Sequence, residues 1–508
     1  MDNHINSIKI PQSPEPYWRA SVKTQSFEPL TQDITTDVAI VGGGITGIIS
    51  AYLLLQEGFK VTLIDASNIL NGTTAHTTAK ITAQHDLIYA ELINHIGKEK
   101  AKLYYTANTN AIKFYANIIK NNNIDCDYDK QDSFVYTSSD KYINKIDQEV
   151  KAYQQLGIRG DYVESLPVPI NIKAAAVMRD QSQFHPLKFL NHLLEFIVNN
   201  DGHIFEETTA VDIVADDGLK VITKNGANIS CKNVIIASHF PFYGIKGLYF
   251  SRMYPDRSYV LGVKTKIGYP GGMYLSADDP KRSLRYTNIN GEKLVLIGGE
   301  NHVTGKDKET SEHYYALKTF GEDIFGLEEI LYRWSTQDLT TLDNIPYIGR
   351  LTSNTPNIFV ATGYRKWGMT TSALAALLLK DLIMDKSNPY TEVFSPSRFH
   401  ADPSIKNYIK FNANVAKKFV AGRFKDPFRT VESLKKDEGS IVSVNGKRVG
   451  AYRDPDGELH LVSNTCPHLG CMLKWNHGER TWDCPCHGSR FSIDGDIIEG
   501  PAEKELKK

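Results

Sequence analysis

Thr36-Asp-Val-Ala-Ile-Val41, Gly42-Gly43-Gly44-Ile-Thr-Gly47 and the run from Ile48 to Asp65 carry the first fold legible in the chain. An apolar strand over 36–41 runs straight into a G-x-G-x-x-G turn. A helical pattern follows over 48–55, and Gly58 ends it. A second strand, 60–64, finishes in Asp65. This is a βαβ unit with the glycine fingerprint at its first turn and an acidic residue after its second strand, the arrangement that binds a dinucleotide. Gly42 permits the tight turn, Gly44 lets the backbone approach a pyrophosphate, and Gly47 lets helix and strand pack closely. The helix N-terminus then offers unpaired N–H groups to the phosphates, and Asp65 would accept hydrogen bonds from a ribose. Glycine-rich turns are common on their own. Here strand, helix, the small residues Ala51 and Gly58, and the terminal Asp65 fall in register, which predicts a nucleotide-binding α/β domain.

The last eighty or so residues follow a different pattern. Short strands are expected over 440–444, 447–452 and 458–462, separated by Asn445-Gly446 and Asp454-Pro-Asp-Gly457, both hairpin signals. They describe a small all-β domain that presents two loops, Cys466-Pro-His468-Leu-Gly-Cys471 and Cys484-Pro-Cys486-His487-Gly-Ser489. Two thiolates and two imidazoles at the spacing C-x-H-x15-C-x2-H can hold an iron–sulfur cluster, Cys on one iron and His on the other. The same donor set suits tetrahedral zinc. Each loop carries one further cysteine.

At 508 residues, two to three domains are expected. Apolar residues make up 41% and charged ones 23%, and the formal net charge of -1 gives no basic surface for a nucleic-acid partner. Four of the six cysteines lie in the last tenth of the chain, which favours a metal site over a disulfide scaffold. Cys126 and Cys231 read as core thiols. No basic-then-apolar leader pattern opens the sequence. The apolar stretch 369–384 is interrupted by Lys380 and Asp381, short of a transmembrane segment. A cytoplasmic protein is expected. Residues 386–425 are polar, with Pro396 and Pro403, and read as a linker.

Three further motifs carry a family resemblance. They are Gly72-Thr73-Thr74-Ala-His76-Thr-Thr-Ala-Lys80, Asp343-Asn-Ile-Pro346-Tyr-Ile-Gly349, and Asn357-Ile-Phe-Val-Ala361-Thr-Gly363-Tyr-Arg365-Lys-Trp367-Gly368-Met369-Thr370. With the fingerprint, residues 35–385 resemble the D-amino-acid oxidase-like FAD-dependent oxidoreductases. The resemblance implies an FAD-binding Rossmann-like domain over about 35–90, 170–240 and 336–385, after an N-terminal extension over 1–34. An interleaved α+β substrate domain would occupy about 90–170 and 240–335. FAD would be held by Gly42, Gly44, Gly47, Asp65, Thr73, Thr74, Gly363, Gly368, Met369 and Thr370. The helix after Thr370 would place its positive end near the flavin ring. Noncovalent FAD is expected, with His76 and His85 the nearest candidates for attachment. Family substrates often carry a carboxylate or phosphate, and the candidates to hold one are Arg252, Tyr254, Tyr259, Arg285 and Arg365, with Tyr286 and Lys366 beside them.

The C-terminal domain, 426–508, resembles the Rieske [2Fe–2S] proteins of the cytochrome bc type. That resemblance implies Cys466, His468, Cys484 and His487 as cluster ligands and a disulfide between Cys471 and Cys486. It also implies a hydrogen bond from Ser489 to a cluster sulfur. Phe491 stands where high-potential members carry a tyrosine, which implies a potential below theirs. No mononuclear-iron motif follows, which sets an oxygenase aside.

The combined reading is a flavin dehydrogenase. A small amine, amino acid or hydroxy acid would give hydride to FAD, and single electrons would leave through the cluster to an external protein or quinone acceptor. The alternative is an electron-transfer module working between a nicotinamide or quinone and the cluster. It finds only one dinucleotide fingerprint, which FAD already takes.

Overall fold

A computed structural model of the chain describes residues 8–216, 218–305, 309–398, 404, 408, 412 and 429–508. Most of the expected linker from 399 onward lies outside the described residues, as do 426–428 at the expected start of the C-terminal domain.

Strand Val38–Val41 is buried on both faces, as a central parallel strand requires. It pairs in parallel with Val61–Ile64 on one side and Asn233–Ile236 on the other. Ile358–Thr362 and His203–Phe205 extend the sheet in parallel, and Tyr347–Arg350 closes one edge antiparallel. Helix Ile45–Gln56 crosses over from the fingerprint and packs on the last helix of the nucleotide-binding part, Gly368–Ile383.

Among the described residues the largest sheet has nine strands. The long strand Met253–Thr265 lies between Leu327–Thr341 and Glu292–Val303, pairing antiparallel with both. Arg282–Ile289, Met273–Ser276, Asp129–Thr137, Ala174–Gln183 and Lys80–Ile81 continue the order, and Gly160–Val163 pairs on Ala174–Gln183. Ala174–Gln183 and residues 336–341 therefore join the large sheet, although both fall in segments expected with the nucleotide-binding part. Helices Tyr89–Ile96 and Lys98–Asn121 meet at Gly97, whose φ of 82° breaks the run.

The N-terminal residues are fastened to the main body. Ile34–Thr35 pairs with Asn228–Cys231, Trp18 is fully buried, and the Arg333 guanidinium donates to the Pro11 and Gln12 carbonyls. Beyond the last helix, Arg398 reaches back to Asp343 with two 2.8 Å contacts, both side chains buried.

The C-terminal domain is two small sheets. Glu438–Val444, Lys447–Arg453 and Leu459–Ser463 form one, and Lys474–Asn476, Thr481–Asp483, Arg490–Phe491 and Ile497–Glu499 form the other. The Asn445-Gly446 turn joins the first two strands, with φ of 50° and 74° supplying the left-handed pair that a tight hairpin takes. The domain lies against the large sheet. Gln337 donates to the Gly488 carbonyl at 2.9 Å, Arg333 to the Gly478 carbonyl at 2.7 Å, and Tyr314 to Glu479 at 2.7 Å.

Candidate functional site

Two glycine-rich turns converge at the C-terminal edge of the parallel sheet. Gly42 has φ of 116°, and a Cβ there would meet the Ala237 carbonyl oxygen at 2.5 Å. A Cβ on Gly47 would lie 2.0 Å from the Gly42 carbonyl oxygen. Among the described residues, a Cβ on Gly44 would meet only the Thr74 hydroxyl, at 3.2 Å, so this face of the turn is open for a close approach. Thr74 reaches back and accepts from the Ile45 N–H at 3.0 Å. Asp65 accepts from the Gly43 and Ser67 N–H groups, and burial pushes its carboxyl up to about 6. The second turn carries Gly363, whose φ of 75° leads into the N-terminus of the last helix. Thr46 bonds to Ser372 at 2.9 Å and Tyr364 at 3.1 Å, tying the two turns together. Thr370 exchanges hydrogen bonds with the Thr82 backbone, the Met369 carbonyl accepts from Tyr115, and the buried Thr371 hydroxyl has no partner among the described residues. Open glycine backbone, two helix N-termini, an acid after the second strand and an orphaned hydroxyl fit a bound dinucleotide.

Beside the second turn lies a charged cluster. Asp86, at φ 67°, meets Lys281 at 2.7 Å and Arg365 at 3.5 Å. Burial alone would raise the Asp86 carboxyl, and the two cations outweigh it and hold it below the usual carboxylate range. Nη1 of Arg365 is buried with no hydrogen-bond partner among the described residues. Lys366 pairs with Asp256 at 2.8 Å. Trp367 stacks on His85, centroids 5.0 Å apart. Tyr254 bonds to Thr340 and lies in the field of Arg365.

Of the sequence candidates for holding substrate, Tyr254, Arg365 and Lys366 are brought to this cluster. Arg252 donates to the Pro396 carbonyl and lies 4.4 Å over the Tyr347 ring, so it anchors the segment after the last helix. Tyr259 is fully buried and stacks on His313. Arg285 is committed to the Thr78 and Ala79 carbonyls at 2.8 Å, and Tyr286 to Asp129 at 2.5 Å. Both ring nitrogens of His85 are engaged. Nε2 donates to the Thr82 carbonyl, Nδ1 accepts from Tyr104, and burial drives the ring down to about 3. His76 donates from Nδ1 to the Gly72 carbonyl.

In the C-terminal domain both loops fold around one point. Cys471 and Cys486 form a disulfide, Cα atoms 6.6 Å apart. Cys466 and Cys484 are free thiols, each 1% exposed. The rings of His468 and His487 stand 5.0 Å apart at 86°, and the Nδ1 of His468 is buried without a partner among the described residues. Ser489 is fully buried, bonds to the Cys466 sulfur and accepts from the Ala502 N–H. Two thiols and two imidazoles around one point, one imidazole nitrogen unsatisfied, suit a cluster with mixed Cys and His ligation.

The family model for FAD-dependent oxidoreductases (DAO) matches residues 37–382, and that for the Rieske [2Fe–2S] domain matches 427–508. The chain is an FAD-dependent oxidoreductase with a C-terminal Rieske domain. Its cofactors are FAD and a [2Fe–2S] cluster. A Bacillus subtilis protein, YhfW, named for a Rieske 2Fe-2S iron–sulfur centre, is 52% identical over 98% of both chains. The gamma-glutamylputrescine oxidoreductase of Escherichia coli is 24% identical over 72% of this chain and 88% of its own. The glycine oxidase of Geobacillus kaustophilus shares the fold, with a TM-score of 0.61 at 18% identity over 72% of this chain and 99% of its own. Among the described residues no helix is long and apolar enough to cross a membrane.

The seam between flavin module and Rieske domain contains residues that local sequence did not mark. Phe250, in the short helix Tyr249–Arg252, meets the rings of both His468 and His487 edge to face, at 6.0 and 5.8 Å. Met253, three residues on, has its sulfur 3.7 Å from the Thr362 hydroxyl and against Gly363. The histidine edge of the Rieske domain thus faces the flavin module through one aromatic ring. An isolated phenylalanine offers no sequence signal for this. Asp86 and Lys281 were missed for the same reason, since 195 positions separate them.

Proposed function

We propose that the chain oxidises a small amine, amino acid or hydroxy acid by hydride transfer to FAD and passes the electrons singly through its own cluster to an external acceptor. When bound, FAD supplies the two-electron oxidation and the [2Fe–2S] cluster the one-electron exit. The observation that carries this reading is the packing of His468 and His487 on Phe250, three residues before Met253, whose sulfur lies against Gly363.

The chain's own residues have distinct tasks in this reading. Gly42, Gly44, Gly47, Asp65, Thr73, Thr74, Gly363, Gly368, Met369 and Thr370 hold the FAD. Cys466, His468, Cys484 and His487 ligate the cluster, and the Cys471–Cys486 bond ties their two loops together. Arg365 holds a substrate carboxylate through its unpartnered Nη1, with Asp86 fixing its other arm. Tyr254 and the Trp367–His85 stack bound the same space and exclude water. His85, neutral and with both nitrogens occupied, positions Trp367 and takes no proton. Relatives named for gamma-glutamylputrescine and glycine support an amine or amino-acid substrate.

Anaerobic mixing with a panel of amines, amino acids and hydroxy acids tests this, with flavin and cluster bands followed separately. Bleaching of the flavin by a member of the panel, then of the cluster, is the expected result. Bleaching by NAD(P)H alone would contradict it.

A further inference from the structure

Arg257 belongs to the flavin module, in strand Met253–Thr265, yet its charge is turned toward the Rieske domain. Its side chain is fully buried. Nη1 donates to Ser335 at 2.7 Å, whereas Nε and Nη2 have no hydrogen-bond partner among the described residues. The nearest acids come from across the seam: Asp483 at 4.0 Å and Glu499 at 3.7 Å. Those two acids are bonded within their own domain by Arg490, at 3.3 and 2.9 Å. Asp483 directly precedes the ligand Cys484. Arg490 directly follows Ser489, which bonds to the Cys466 sulfur.

Two arginines and two carboxylates therefore lie beneath the cluster loops, Arg257, Asp483 and Arg490 buried and Glu499 partly exposed, and their charges cancel. Burial alone would raise the Glu499 carboxyl, and Arg490 and Arg257 together hold it below the usual range, so it is ionised. Arg490 reaches one oxygen of each acid, Glu499 Oε2 has no hydrogen-bond partner among the described residues, and Arg490 alone would leave one uncompensated negative charge. Arg257 supplies the missing positive charge from the other module. A buried charge in a medium of low effective dielectric acts strongly on its neighbours, and reducing a [2Fe–2S] cluster adds one negative charge to this site. We infer that Arg257 is a positioning residue of the flavin module that raises the reduction potential of the Rieske cluster across the seam and so favours electron entry from the flavin side. This rests on the proposed ligation by Cys466, His468, Cys484 and His487.

The test is a redox titration of the intact protein, reading the cluster by its EPR signal and the flavin by its absorbance. Arg257→Met leaves a net negative charge and is expected to lower the cluster midpoint. Glu499→Gln leaves a net positive charge and should raise it. The double variant R257M/E499Q restores neutrality and should return close to the wild type, with the flavin midpoint unchanged throughout. Arg257→Lys keeps the charge while losing the guanidinium packing, and should hold the wild-type potential. A midpoint in Arg257→Met at or above the wild type would overturn the inference. So would a double variant shifted as far as Arg257→Met, because packing damage alone would not be reversed by removing a carboxylate. Failure of the ligation itself would look different, since the wild-type protein would then lack the Rieske EPR signal.

Discussion

Phe250 and His487 meet edge to face, ring centroids 5.8 Å apart and planes at 90°. His487 is only 4% exposed, so an imidazole of the proposed cluster site is covered by the flavin module of the same chain. Replacing Phe250 with Ala removes this ring and leaves both proposed cofactor sites in place. Reduction of the cluster after flavin bleaching should slow by about tenfold, equivalent to about 1.4 kcal/mol in the barrier. The rate of flavin bleaching by substrate and the cluster EPR signal should stay as they are. Stopped-flow absorbance at the two bands separates the steps, and an unchanged second phase would remove Phe250 from the route.

Arg365 is the proposed carboxylate holder. A hydrogen bond to a charged group contributes about 1.5–3 kcal/mol, so Arg365→Gln should raise KM for a carboxylate substrate by about 10–150-fold. A substrate analogue lacking the carboxylate should be hardly affected. Equal losses for both would assign Arg365 to holding Asp86 in place, not to the substrate.

Asp65 offers a pH test of the FAD site. Burial raises its carboxyl to about 6, and only the ionised form can accept from two ribose hydroxyls. FAD affinity should therefore be flat above that value and fall by up to about tenfold per pH unit below it. Asp65→Asn should bind FAD more weakly and lose the pH dependence. Quenching of flavin fluorescence on titration of the apoprotein measures both, and a slope retained in the Asn variant would place the titrating group elsewhere.

The Cys471–Cys486 bond closes a loop of 15 residues, a length for which chain entropy predicts about 3 kcal/mol of stabilisation. The C471A/C486A double variant should lose its cluster absorbance at a lower urea concentration than the wild type. Coincident curves would show that the domain's packing, not the bond, holds the two loops together.

The parts of this molecule that were legible in its sequence are those fixed by short spacings. The glycine fingerprint, the turn at Gly363 and the two Cys/His loops each bring their residues together within one turn or hairpin, and Asp65 meets Gly43 across a single βαβ unit. What stayed hidden depends on strands far apart in the chain meeting in one sheet. Met253–Thr265 pairs with Leu327–Thr341 and Glu292–Val303, and that pairing buries Tyr259 and Arg257 while leaving Tyr254 near Arg365. Arg285 looked like a substrate ligand because its charge was visible and the Thr78 and Ala79 carbonyls that occupy it were not. Arg398 sat in a stretch read as linker, although its bidentate pair with Asp343 locks that stretch to the main body. Phe250 had no local pattern at all, since its role exists only once the Rieske domain has docked.

The central claim is that flavin and cluster exchange electrons within one chain. Anaerobic stopped-flow reduction by substrate, repeated over a range of protein concentrations, tests it most directly. The account predicts that the flavin bleaches first and that the cluster follows with a rate constant independent of protein concentration. A cluster phase whose rate rises in proportion to concentration, or a cluster that stays oxidised behind a reduced flavin, would contradict it.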